Sequence, residues 1–213
     1  GLYGTISEQL AQNGIPTKIS QHLDALEELG GLDALGGPKT DNMYHAAWAW
    51  AGSTPYKSTK LVGAHFGGTR QPMAVSWPKG IKADATARPQ FHHVIDIVPT
   101  ILEAAGVTPP DVINGVKQKP IEGKSLVYTF NDASAPTQHP TQYFELLSNR
   151  GVYHHGWMAN TTPEKLPWAP PGFVTKPGDF KWELYHETED FSQANNLAAS
   201  NPDKLKELQA IFE

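Results

Sequence analysis

A chain of 213 residues allows one large domain or two small ones and can bury a real core. An apolar content of 39%, with 19 glycines and 18 prolines, argues for many turns and irregular connections and against a helical bundle. A net charge of -5 gives no basic surface for nucleic acid, and the absence of cysteine excludes disulfides and thiolate metal sites.

No apolar run approaches the ~18 residues that cross a bilayer, so no membrane span is expected. The chain opens at Gly1, not at a methionine, and is expected to be a fragment with a segment upstream. No signal peptide is visible, and the compartment stays open.

Taken in order, residues 5–12 read as a short helix, with Thr5 as N-cap and Glu8 three positions on. A clearer helix begins at Thr17. Ile19, Leu23, Leu26 and Leu29 recur at helical spacing, and Gly30 and Gly31 stop it. Residues 30–42 form a loop. Residues 44–50 are aromatic and alanine-rich. Trp48 and Trp50 there suit either a stacking surface beside a pocket or an aromatic core patch, and the core reading is preferred.

Residues 59–78 hold Lys60, His65, the adjacent pair Gly67 and Gly68, and Arg70, followed by an apolar run at 73–77. That layout predicts a polar loop delivered by a strand end, a common seat of chemistry. Next, Asp96 reads as the N-cap of a helix with Pro99 in its first turn, an apolar stripe of Ile97, Ile101 and Leu102, and Gly106 as its stop. His92 and His93 resemble a metal pair, but adjacent side chains diverge, and a structural role is expected.

Residues 107–140 read as a connection with one apolar piece at 125–130. A strand is predicted over 141–147, a turn at 148–151 and a second strand over 152–159. Residues 160–180 are a proline-rich loop. A third strand covers 182–185, and a last helix follows Asn201 and Pro202, with Leu205, Leu208, Ile211 and Phe212 on one face. The boundary expected is near residue 135: an α/β part over 1–135, then a small antiparallel subdomain with one helix over 136–213.

Three segments carry a family resemblance. Lys60 followed by His65-Phe66-Gly67-Gly68-Thr69-Arg70-Gln71-Pro72 is similar to a lysine followed by His-Glu-Gly-Gly-x-Arg-x-Pro. Asp96 to Gly106 is similar to Asp-x-x-Pro-Thr-Leu-Leu-x-x-Ala-Gly. Glu183-Leu184-Tyr185 with Asp190 and Asn196-Leu197-Ala198 is similar to a Glu-Leu-Tyr…Asp…Asn-Leu-Ala ending. In this order they resemble the C-terminal part of a type I sulfatase of the alkaline-phosphatase-like superfamily, close to bacterial arylsulfatases. Phe66 stands where that family usually has Glu, and Phe191 where Pro commonly follows the Asp.

The resemblance implies an α/β fold with a small antiparallel C-terminal sheet and helix, and a full-length enzyme that hydrolyses small-molecule sulfate esters. It implies a formylglycine nucleophile made from Cys or Ser, and Ca2+ held by Asp and Asn ligands; neither set of residues is expected in this chain, whose partner would be the N-terminal part of the same enzyme. Lys60 is implied to contact a sulfate oxygen and the leaving-group oxygen. His65 either lines the same pocket or braces the Gly67-Gly68 turn, and Arg70 reads as a structural ion-pair partner. Ser53-Thr54-Pro55-Tyr56-Lys57 imitates a Ser-x-Pro-x-basic nucleophile motif, but a turn around Thr54 and Pro55 accounts for it better. The fragment alone is expected to be inactive, and residues 60–106 to leave exposed apolar surface or an unpaired strand edge. The alternatives are a phosphonate or phosphate monoester hydrolase on the same scaffold, and a non-catalytic binding module using Trp48, Trp50 and Trp157.

Overall fold

A computed structural model describes residue 24 and residues 26–38, 46–163 and 180–213. Its elements are Ala46–Ser53 (α1), the single turn Phe66–Thr69 (α2), Ile97–Ala105 (α3), Val112–Ile113 (β1), Val116–Lys117 (β2), Thr141–Leu146 (β3), Asn149–His154 (β4), Trp157–Thr161 (β5), Trp182–His186 (β6) and Pro202–Phe212 (α4). The chain forms two compact units, one from residues 1–70 and 143–213, the other from residues 71–142. This grouping cuts across residue 135, because the loop at 57–70 packs on the antiparallel sheet that comes later. The helix expected over 5–12 lies outside the described residues, as do most of the one from Thr17 and most of the loop at 160–180. The end of the second helix is described: Gly30 and Gly31 have φ of 116° and 67°, as its stop requires.

In the first unit, β3-β4-β5-β6 form a four-stranded sheet in chain order. The pairing aligns Val152 with Ala159 and Ala159 with Leu184, so these three make one row across the sheet. Alternation places them on one face. They form the core with Leu208 of α4, while Trp157, Trp182, Leu197, Leu205 and Phe212 pack around them. Of the stripe expected on α4, Ile211 is the exception, at 39% exposure. Pro202 occupies the first turn, where its missing N–H is no loss. The neighbouring rows, Tyr153–Met158–Tyr185 and Gly151–Asn160–Glu183, face the other way. Met158, Tyr185 and Asn160 are fully buried, so this sheet is covered on both faces.

The strand expected over 152–159 is two strands. His155 and Gly156 have φ of 48° and 83°, the pair of positive angles that makes a tight turn between β4 and β5. The preceding turn is centred on Leu147 and Ser148, with φ of 52° and 65°, two positions earlier than expected. Trp48 and Trp50 are 67% and 48% exposed and so do not form a core patch. Two residues apart on a short helix, they point to different sides. Trp157 stacks on His186 at 4.4 Å between ring centres and packs against the core.

In the second unit, α3 starts and stops where expected, with Gly106 at φ 65°. Asp96 does not cap forward. Its buried carboxylate accepts the His93 and Lys124 backbone N–H groups at 2.8 and 2.7 Å and lies 2.8 Å from His139 Nδ1. A fully buried carboxylate needs such partners, and three from separate segments outbid one N-cap bond. His92 turns its Nδ1 to the Gln90 carbonyl at 2.9 Å. The connection at 107–140 holds a small hairpin, β1-β2, turned by Asn114 and Gly115 at φ of 50° and 78°. The run at 73–77 pairs with no strand among the described residues, and Met73 and Val75 are exposed. No described helix is long and apolar enough to cross a membrane.

Candidate functional site

The site is built on residues 57–70, which fold back on themselves around α2. Gly67 N–H donates to the Lys57 carbonyl at 2.9 Å, and Val62 N–H to the Thr59 carbonyl at 3.2 Å. The two glycines are there for close approach. A Cβ on Gly67 would lie 2.1 Å from the Ser58 carbonyl oxygen, and one on Gly68 would lie 2.1 Å from that of Val62. Backbone sits at both places, so a side chain would force the loop open.

The loop lies on the sheet face opposite α4. Asn160 Nδ2 donates to the Ala64 carbonyl at 2.7 Å, and Phe66 N–H donates to Gln193 Oε1 at 3.0 Å. Lys57 Nζ donates to the Tyr185 hydroxyl at 2.9 Å, and Tyr185 donates to Glu183 Oε2 at 2.8 Å. His65 Nε2 approaches the same carboxylate oxygen at 3.8 Å. Burial, and then the Glu183 hydrogen bond, push the Tyr185 phenol up, so it stays protonated as the donor. Burial lowers the His65 imidazole below its ordinary value. The Glu183 carboxylate opposes this shift and the Lys57 ammonium adds to it, so the ring is neutral at pH 7. Its Nδ1 is buried without a partner among the described residues.

Lys60 sits in a turn and is exposed. Among the described residues its ammonium meets no hydrogen-bond or ion-pair partner. Arg70 forms no ion pair among the described residues; its guanidinium lies over the Tyr56 and Phe66 rings at 5.5 and 5.2 Å. Glu187 is near enough to feel this guanidinium, but burial pushes its carboxyl up to about 8, so the expected ion pair gives way to ring contacts. Ser53 Oγ donates to the Ala49 carbonyl at 2.8 Å, so this hydroxyl is tied to its own helix and Thr54 and Pro55 form a turn.

Residues 57–70 carry Lys57, Lys60 and Arg70 and no acidic residue. Such a segment suits an anion. It does not suit calcium, which takes oxygen ligands, and among the described residues no three His, Asp or Glu converge to hold a metal. Sequence reasoning singled out Lys60 and His65, met Glu183, Tyr185 and Lys57 only inside motifs that gave them no role at the site, and missed Asn160 and Gln193. Lys57 and Tyr185 are 128 positions apart and Asn160 and Ala64 96 apart, so no local pattern joins them.

Comparison with known proteins identifies the chain as the C-terminal portion of a sulfatase. The chain belongs to the family described as N-sulphoglucosamine sulphohydrolase, C-terminal, whose model matches residues 65–211. It is 28% identical, over 98% of its length, to an uncharacterized sulfatase of Schizosaccharomyces pombe, and covers 34% of that protein. It is 31% identical, over 68% of its length, to an N-acetylglucosamine-6-O-sulfatase of Bacteroides thetaiotaomicron, covering 24% of it. A structure solved in work on glycosaminoglycan metabolism by Bacteroides thetaiotaomicron matches with a TM-score of 0.48 and 20% identity, over 71% of this chain and 30% of that one. The chain thus spans about a third or less of the curated relatives it matches.

Proposed function

We propose that this chain is the part of a sulfate-ester hydrolase that brings Lys60 to the transferring sulfate. The observation that carries the reading is an exposed ammonium, without a partner among the described residues, on a cationic loop held by buried groups. S–O cleavage places negative charge on the departing oxygen and on the sulfonyl oxygens. A fixed ammonium aimed there stabilises the transition state more than the bound ester. His65, neutral and half-inserted between loop and sheet, braces the turn and offers an uncharged edge to the same place. The formylglycine nucleophile and the calcium ligands belong to the remainder of the polypeptide, and the 213 residues alone do not turn over.

In the complete protein, Lys60→Ala lowers kcat/KM for an aryl sulfate about 10²- to 10³-fold, the usual loss for one such contact. Unchanged turnover in that variant, or formylglycine-dependent turnover by the isolated chain, overturns the reading. Sulfate and phosphate esters of one phenol, assayed side by side, separate a sulfatase from a phosphomonoester hydrolase.

A further inference from the structure

We propose that Asn160 and Gln193 are positioning residues for Lys60, gripping its loop from below; this rests on the role given to Lys60 above. An exposed lysine on a four-carbon stem acts at a fixed point only if the backbone beneath it is fixed. Residues 57–70 have little regular structure of their own, since α2 is a single turn. The grip comes from two side chains of the sheet subdomain. Asn160, on β5, donates to the Ala64 carbonyl; Gln193, in the segment after β6, accepts the Phe66 N–H. The two bonds close on the residues either side of His65. At the other end of the loop, Lys57 is tied to Tyr185. Lys60 lies between these anchors.

Both amides are 0% exposed, and each is used at one end only: Asn160 Oδ1 and Gln193 Nε2 have no partner among the described residues. A buried, half-satisfied amide is a poor way to fill space, and an apolar side chain of that shape would pack without the desolvation cost. What an apolar side chain cannot do is hold a backbone carbonyl or N–H at hydrogen-bond distance. The expense is therefore explained by placement of the loop. Gln193 takes a left-handed backbone, φ 59°, which a non-glycine residue adopts at some strain.

The test is a double-mutant cycle in the complete protein, with a series of aryl sulfates whose leaving groups differ in pKa. Asn160→Leu and Gln193→Met each remove a grip at similar volume. Each is expected to lower kcat/KM about 10- to 100-fold, the scale of a misplaced catalytic group. The loss grows with leaving-group pKa, because a misplaced ammonium neutralises the departing oxygen less well. In a Lys60→Ala background the same substitutions cost nothing further. Gln193→Glu keeps the acceptor for Phe66 N–H and keeps the parental leaving-group slope. If Lys60→Ala is harmful but the grip variants lose the same factor with and without Lys60, or lose it equally for all leaving groups, the amides are merely structural and the proposal falls. If Lys60→Ala is harmless, the role of Lys60 fails first and the proposal with it. Should Asn160→Leu not fold, Gln193→Met and Gln193→Glu decide the matter alone.

Discussion

The two units spend their apolar residues differently. The first buries Val62, Phe66, Val152, Met158, Leu184, Tyr185 and Leu208 on the two faces of one sheet. In the second, Leu126 and Phe130 are the buried apolar residues among those described, while Val94, Val98 and Ile101 stand 67%, 54% and 61% exposed on and beside α3. A helix apolar on its outward side as well as its inward one is made for a buried setting. The second unit is instead organised by the Asp96 carboxylate and its three partners. A polar hub can fix local geometry with few apolar contacts, whereas the first unit has a sheet core deep enough to seat the loop at 57–70.

Three measurements would break or sharpen this contrast. The largest effect is expected at Leu208→Ala. It removes the one fully buried side chain of α4 and should cost about 2–5 kcal/mol in urea unfolding of the chain. A cost under about 1 kcal/mol would mean that the helix is not what closes the sheet.

Glu187 comes next. Burial, only partly opposed by Arg70, pushes its carboxyl from 4.5 up to about 8, and its Oε1 has no partner among the described residues. The fold favours the protonated form, so this contribution is fully present below about 4.5 and is lost as pH rises through about 8. Glu187→Gln keeps the group neutral. Its unfolding free energy should exceed the parent's by about 1–3 kcal/mol at high pH, and the two should converge toward acid. Parallel pH curves would refute the shift.

The smallest effect belongs to Ile101→Ser, on the exposed side of α3, which should move the stability of this chain by no more than about 0.5 kcal/mol. A loss of 2 kcal/mol would show that this face is covered in solution.

What the sequence made legible was local. Pro99 and Gly106 bracket α3, Asn201 and Pro202 begin α4, and each signal lies within a turn of the boundary it marks. The strands of the antiparallel sheet were legible too, but not all of its turns. His155-Gly156 is a weaker turn signal than Asn-Gly, and the apolar residues on either side read as one continuous strand. Asn114-Gly115 is a strong two-residue turn signal, but its strands are only two residues long and carry no alternating pattern to go with it. At the site, Lys60 and His65 stood out through a motif. Asn160 and Gln193 did not, and the motif that holds Tyr185 gave it no role, because what these residues do is set by segments about a hundred positions away. The division of the chain into units was hidden for the same reason: residues 57–70 join a sheet formed much later in the chain.

The tight turn at His155 and Gly156 has a consequence for β5. Side chains along that strand alternate between the helix and the loop, so Ala159 meets Leu184 and the α4 core while Asn160 meets the Ala64 carbonyl. Slipping the strand by one position would put an amide in the oily layer and a methyl group under the loop. The same error would unseat the core and let go of the lysine. A copy mis-paired at β5 would therefore be an unstable one, and not merely one with its loop displaced.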